Sequence, residues 1–234
     1  MSGSAEALTV ARNVSGRCLA IVTEMAIGVL MLPFNVAHLG QAAYGLWMLT
    51  ASLTAYFSVL DLGYGGALVK FVAQYRARTD ARALNETLST CFYLFSGLGL
   101  LAYLAAILLA VWLDRLFHLP PDQAHVGRVV LLVVSVNVAV GMAFSVFGGV
   151  INGFQRYDLN SVVAVVTSLV TAIVNVLILS AGYGLVALVI GTTVVRLLSY
   201  VVYRANAYRV FPALRLMITV SFPAVVVTVT FVPA

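Results

Sequence analysis

Long apolar runs alternate with short polar breaks along this chain. Each run has about the 20 residues that cross a hydrocarbon core as a helix. Since backbone groups in lipid must form their hydrogen bonds within the segment, the runs are expected to be α-helices. The ten-residue alternating pattern of a membrane β-barrel is absent. The pattern predicts six spans, Val14–Val36, Ala43–Leu62, Leu88–Leu113, Val126–Ile151, Ser161–Ser180 and Leu185–Tyr203.

The six predicted spans define the domain organisation. Residues 1–13 form a predicted cytoplasmic N-terminus and residues 14–215 a six-helix transmembrane lobe. Residues 216–234 are apolar but short, β-branched and interrupted by Pro223, and they predict a truncated or divergent seventh span. The fold class expected is therefore an all-α integral membrane protein.

Composition supports lipid as the main solvent. The 234 residues are 62% hydrophobic and 9% charged, whereas a soluble domain carries about 25% charged residues. The formal net charge of +5 is best explained by topology, because cations collect in cytoplasmic loops. No nucleic acid partner is expected.

The loop cations predict the orientation. With a cytoplasmic N-terminus, only Arg115 and Arg128 lie outside. Ten cations lie on the inner side, which is a strong positive-inside bias: Arg12, Arg17, Lys70, Arg76, Arg78, Arg82, Arg156, Arg204, Arg209 and Arg215.

Two inner segments have their own local predictions. After Asp61 and the glycine joint "LGYGG", the stretch "ALVKFVAQY" has the apolar spacing of an interfacial helix. The loop "NGFQRYDLN" is expected to be a short turn in which Arg156 pairs with Asp158.

Motifs of soluble enzymes are absent. Gly63, Gly65 and Gly66 do not fit the spacing of a phosphate-binding loop, and no HExxH or GxSxG motif occurs. The two cysteines, Cys18 and Cys91, lie far apart in apolar segments and predict neither a disulfide framework nor a metal site. We expect no enzymatic activity, no cofactor and no metal.

Ionisable residues inside spans are the strongest candidates for function, since one at mid-membrane costs about 2.5–3.5 kcal/mol on insertion scales. In span 1, Arg17, Glu24, Gly28 and Asn35 lie on one helical face. Glu24 and Arg196 of span 6 lie deep in the membrane. They either form a buried ion pair or both line a water-filled substrate path. Arg17 either joins this face or extends to the inner surface.

Further polar stripes add candidates in spans 2, 4 and 5. Asp61 ends the stripe Thr50, Thr54, Ser58 and Asp61 of span 2 and is either a helix-end residue or part of a cavity mouth. Asn175 ends a stripe in span 5. Asn137 begins the stripe Asn137, Gly141, Ser145, Gly148 and Asn152 of span 4, whose small residues favour a helix-packing seam.

Three stretches carry a resemblance to a known family. "LGQAAYGLWMLTASLTAYFSVLDLGYGGALVKFVAQYRARTD", the following "ALNETLSTCF" and the later "VFGGVINGFQRYDLN" resemble bacterial polysaccharide-biosynthesis transporters. These are the Wzx-type O-antigen flippases of the multidrug/oligosaccharidyl-lipid/polysaccharide (MATE-like) exporter superfamily. The similarity runs from about Arg12 to Arg209.

The resemblance implies two lobes of about six helices around a central cavity. It implies alternating-access transport of undecaprenyl-diphosphate-linked oligosaccharides across the bacterial inner membrane, for lipopolysaccharide and other surface polysaccharides. It also implies that cavity cations receive the diphosphate or acidic sugars. Arg17 and Arg196 are the local candidates, with Glu24 or Asp61 as a protonation or gating partner.

Six helices correspond to one lobe of such a transporter. A second lobe or a second copy of the chain is therefore expected to complete the cavity, and lipid-linked oligosaccharide and membrane lipids are the other expected partners. The alternatives are a cation-coupled drug exporter of the same superfamily, with Glu24 as the coupling acid, and an inactive half-transporter fragment.

Overall fold

A computed structural model describes the backbone of residues 2–57, 64–118 and 120–216, and the side chains of 16–56, 66–118, 120 and 123–216. The regular secondary structure of these residues is α-helix, with no strand among them. Five of its helices are long and apolar enough to cross a membrane, which confirms the all-α membrane class. The helices are α1 (Ser2–Phe57), α2 (Tyr64–Ala77), α3 (Ala81–Phe117), α4 (Pro121–Gly153), α5 (Tyr157–Ser180) and α6 (Leu185–Val210).

The described residues contain five helices of membrane length instead of the six predicted, because predicted spans 1 and 2 lie in one helix, α1. α1 is interrupted only at Gly40, whose φ of 76° and ψ of 165° are not helical. This left-handed φ favours glycine, since other side chains are strained there. The break between predicted spans 1 and 2 is therefore one residue rather than a loop.

The chain changes direction at Gly40. Residues from Glu24 to Met48 line one cavity, together with Ala164 to Asn175 of α5. A straight helix from Glu24 to Met48 would be about 36 Å long, twice the roughly 17 Å that α5 contributes. Both parts of α1 can line one cavity only if the chain turns between them. We call residues 2–39 the first arm of α1 and residues 41–57 the second arm.

The predicted interfacial helix is α2, but its apolar face packs on protein. Leu68 is 2% exposed and Val72 is fully buried. A Cβ added at Gly149 or Gly153 of α4 would overlap these two side chains. Close approach to α4 therefore docks α2 on the bundle, which corrects the expectation that this face lies on lipid.

α3 is longer than predicted at its start. It begins at Ala81 rather than Leu88, because the Asp80 carboxylate accepts a hydrogen bond of 3.0 Å from the Ala83 N–H and caps the helix. Near its other end, Asp114 forms an ion pair of 3.0 Å with Arg128 of α4.

The segments assigned to the inner side lie together at one end of the bundle. The Arg76 guanidinium lies 4.9 Å from the centre of the Phe154 ring, and that ring lies 5.6 Å from the ring of Phe211, after α6. Arg156 pairs with Asp158 at 3.2 Å, as predicted. Contacts among α2, the α4–α5 turn and the chain after α6 therefore bring these segments together, and we call this the α2 end of the bundle.

Asn85 anchors the chain that follows α6. This residue of α3 is 5% exposed, and its amide donates a 2.9 Å hydrogen bond to the Ala213 carbonyl. The side-chain Oδ1 atom of Asn85 accepts a 3.0 Å hydrogen bond from the Arg215 backbone N–H. Of the predicted seventh span, 216–234, only Leu216 lies within the described residues.

Candidate functional site

A cavity of about 610 Å³ lies between α1, α5 and α6. Both arms of α1 contribute to its wall. The lining combines ionisable, amide, hydroxyl and aromatic side chains, among them Glu24, Asn35, Tyr44, Trp47, Thr167, Ser168, Thr171, Asn175, Arg196, Ser199, Tyr200 and Tyr203. The polar faces predicted for spans 1, 5 and 6 therefore meet in one place.

The charged end of the cavity contains Glu24, Arg196, Tyr200 and Tyr203. Glu24 and Arg196 are both exposed, and no ion pair joins them in the described part of the chain. Sequence reasoning left open a buried pair or two groups along a path. In this structure the two charges face one cavity unpaired, so each is free to bind water or a ligand.

The opposite end, next to the turn in α1, carries neutral polar and aromatic groups. We call Asn35, Tyr44, Trp47 and Asn175 the Gly40 end of the cavity. Asn35 and Asn175 are 4% and 5% exposed, and the buried Oδ1 atom of each accepts no hydrogen bond from the described part of the chain. The rings of Tyr44 and Trp47 meet edge to face, with centroids 5.8 Å apart.

Asn137 lies behind the cavity wall. It is absent from the lining residues, and its Oδ1 atom accepts a 2.8 Å hydrogen bond from the hydroxyl of Tyr200, which does line the cavity. A Cβ at Gly141 would overlap the same hydroxyl. The α4 stripe therefore positions a cavity tyrosine instead of reaching the cavity itself.

Arg17 also lies outside the cavity. It is exposed and is seven residues before Glu24 on the first arm of α1, about 10 Å along the helix. Next to it, a Cβ at Gly16 would lie 3.8 Å from Ser161 of α5. Gly16 and Ser161 line a separate groove between α1 and α5, and Arg17 is not among the residues that line the cavity of Glu24.

The polar residues of predicted span 2 that the structure describes do not reach the cavity. Asp61 lies outside the described residues. Thr50 and Thr54 are buried, and their hydroxyls donate to the carbonyls of Trp47 and Thr50 in their own helix. The polar stripe of this arm is therefore satisfied locally and does not line the cavity.

Sequence reasoning missed the aromatic part of the site. Tyr200 and Tyr203 lie four and seven residues after Arg196 and so share its helical face, a spacing that could have identified them. The sequence alone places Trp47 near the outer end of predicted span 2, where an indole ring is expected at the membrane interface. The turn at Gly40 that directs Trp47 and Tyr44 to the cavity is a tertiary feature.

Comparison with known proteins is consistent with this architecture. The family model described as "Polysaccharide biosynthesis protein" matches residues 10–231. The chain is 26% identical over 172 residues to the "Uncharacterized membrane protein EpsK" of Bacillus subtilis (strain 168). That alignment covers 74% of this chain and 34% of the relative, so the chain spans about a third of the relative's length. No solved structure shows significant similarity. The chain is a multi-pass membrane protein that belongs to the polysaccharide biosynthesis protein family.

Proposed function

We propose that the chain is a transporter lobe that moves a lipid-linked oligosaccharide across the bacterial inner membrane for surface polysaccharide synthesis, without enzymatic chemistry. The observation that carries the proposal is the cavity in which neither Arg196 nor Glu24 has an ion-pair partner among the described residues. Charged groups at membrane depth are costly unless they face a partner or a water-filled path. Membership of the polysaccharide biosynthesis family makes a sugar-bearing substrate the best fit.

Arg196 is the proposed contact for the diphosphate. A guanidinium can donate two parallel charge-assisted hydrogen bonds to phosphate oxygens. Glu24 lines the same cavity and would be the protonation or gating partner, its charge changing how strongly Arg196 holds the diphosphate. A change of this kind would couple substrate binding and release to alternating access.

The cavity size limits which part of the substrate it can hold. About 610 Å³ lies in the range of drug-sized ligands, too small for a long prenyl chain as well as a sugar. The prenyl group would therefore stay in lipid beside the first arm of α1, where Leu19, Val22 and Met25 are 63%, 62% and 66% exposed.

We further propose that a second lobe or a second copy of the chain faces this cavity, that the membrane is the bacterial inner membrane, and that the N-terminus is cytoplasmic. The relative that the chain matches is about three times as long as the matched region. A facing lobe would enclose Glu24 and Arg196, which are exposed in this chain alone.

The test is Arg196→Ala in the host that encodes the chain, with surface polysaccharide measured against membrane protein level. Loss of a charge-assisted contact should lower surface polysaccharide about tenfold or more at unchanged protein level. Arg209→Ala is the matched control, because Arg209 is an exposed arginine of α6 outside the cavity. Normal polysaccharide in Arg196→Ala would exclude the proposed role.

A second candidate is cation-coupled export of small molecules. It is favoured by the drug-sized cavity and by Glu24 within it, which could serve as the coupling acid. Deletion of the gene would then raise drug sensitivity and leave surface polysaccharide normal, and Glu24→Gln would reproduce that sensitivity. If deletion changed neither phenotype, an inactive lobe would be the better description.

A further inference from the structure

We infer that the Gly40 end of the cavity is a binding subsite for a neutral sugar ring, separate from the charged end. The inference rests on the proposed function, since it names the part of the substrate that this region would hold. It assigns Asn35 and Asn175 as the hydrogen-bonding groups and Trp47 as the stacking surface. Three observations support it.

The first observation is the pair of carboxamides without protein partners. Asn35 and Asn175 are more than nine-tenths buried, and both Oδ1 atoms are enclosed without a hydrogen bond. A buried polar group left without a partner costs about 1–3 kcal/mol. A carboxamide offers donors and an acceptor, and sugar hydroxyls both donate and accept. A polyhydroxyl ligand therefore complements each side chain after a rotation of its amide.

The second observation is that these groups lie at one place. Phe34, Leu179 and Trp47 belong to one apolar cluster with Leu46, and both asparagines line the same cavity as Trp47. Phe34 is the neighbour of Asn35 in sequence, and Leu179 lies one helical turn after Asn175. Contacts in the cluster thus bring the first arm, the second arm and the end of α5 together.

The third observation is the aromatic surface. Trp47 and Tyr44 are both partly buried and line the cavity. Their edge-to-face packing at 5.8 Å fixes the indole ring in place. An aromatic ring combines a large apolar face with polar tips, which suits the apolar C–H face of a pyranose.

Charge separates the two ends of the cavity. The only ionisable Asp, Glu, Lys or Arg side chains among the described lining residues are Glu24 and Arg196. Asn35 lies eleven residues from Glu24 on the same arm, about 16 Å along the helix. The Gly40 end is therefore matched to a neutral ring, and an anion is matched to Arg196.

Tryptophan fluorescence can test the subsite directly. The chain has two tryptophans, so Trp112→Phe leaves Trp47 as the single reporter in the purified full chain. Titration with N-acetylglucosamine should change Trp47 emission saturably, at roughly millimolar concentrations. Glucuronate and inorganic pyrophosphate are the charged comparisons and should act more weakly on this signal.

In the same background, Asn35→Ala and Asn175→Ala should each weaken the sugar response about five- to tenfold, the worth of a lost hydrogen bond. Neither should lower the thermal midpoint, since the Oδ1 atom of each has no hydrogen-bond partner in the described part of the chain. Asn137→Ala is the matched control. It removes an amide bonded to Tyr200, so it should lower the midpoint and keep the sugar response.

Three results would overturn the subsite. The first is no saturable response to a neutral sugar, and the second is an equal response to pyrophosphate. The third is a sugar response that stays unchanged in Asn35→Ala and Asn175→Ala when both variants are folded. Asn35→Gln and Asn175→Gln keep the amide if either alanine variant fails to fold, and a shifted affinity there supports the assignment. Arg196→Ala should retain the response. The transport proposal is tested by a different measurement, the surface polysaccharide of the Arg196→Ala strain. Its failure can therefore be distinguished from failure of this subsite.

Discussion

The absence of a single methyl group sets how closely α3 and α4 approach. At Gly99, an added Cβ would lie 2.5 Å from the backbone carbonyl oxygen of Ala139. A backbone atom cannot move aside as the end of a side chain can. Two residues earlier on the same helix, a Cβ at Gly97 would meet nothing within 4 Å. Gly99 therefore permits the close approach of the two helices, whereas a side chain at Gly97 would not affect it.

We predict that Gly99→Ala lowers the free energy of unfolding by about 1–3 kcal/mol, because the added methyl must separate the helices. Gly97→Ala should raise it by about 0.5–1 kcal/mol through better helix propensity. Unfolding in mixed micelles, followed by circular dichroism, measures both. Equal effects of the two substitutions would contradict the packing argument.

The elements at the α2 end of the bundle are held by contacts between segments distant in sequence. Leu214 is 3% exposed and packs in a cluster with Leu84 and Leu88 of α3. The two hydrogen bonds of Asn85 fix the backbone on either side of it. The direction in which the chain leaves α6 is thus set by α3 rather than by a local turn alone.

We expect Asn85→Ala to increase the mobility of the segment after α6. Loss of both bonds should cost about 1–3 kcal/mol and increase hydrogen exchange at the Arg215 amide. Asn85→Asp keeps an acceptor for that amide but loses the donor to Ala213, so it should protect Arg215 better than alanine does. Unchanged exchange in Asn85→Ala would show that apolar packing of Leu214 suffices.

The whole molecule has two ends of different character. One end joins α2, the α4–α5 turn and the chain after α6 through aromatic and cation–π contacts. The other end contains the Asp114–Arg128 pair and the α5–α6 turn with Gly182 at a positive φ of 79°. The cation distribution predicts that the first end is cytoplasmic.

This topology can be measured by labelling single cysteines in a Cys18→Ser, Cys91→Ser background. Thr79→Cys lies in an exposed turn after α2, and we expect an impermeant maleimide to reach it only after the membrane is opened. Tyr183→Cys, at a position 63% exposed between α5 and α6, should react in intact spheroplasts. The reverse pattern would invert the proposed orientation.

Individual residues show how far sequence could predict the site. Glu24, Asn35, Asn175 and Arg196 were candidates because a polar residue in an apolar span is conspicuous without any structure, and all four line the cavity. Asn137 was conspicuous for the same reason, yet its partner is Tyr200. The sequence does not reveal which neighbour a polar residue meets, because helix rotation and crossing are set by packing.

The membrane class, the approximate positions of the apolar helices and their polar faces can be derived from the order of residues alone. They follow from hydrophobicity and helical periodicity, which are local properties. The turn at Gly40 that brings both arms of α1 to one cavity, and the docking of α2 on α4 through Gly149 and Gly153, appear only in the folded chain. Such outcomes depend on close contacts between distant segments, which no local pattern specifies.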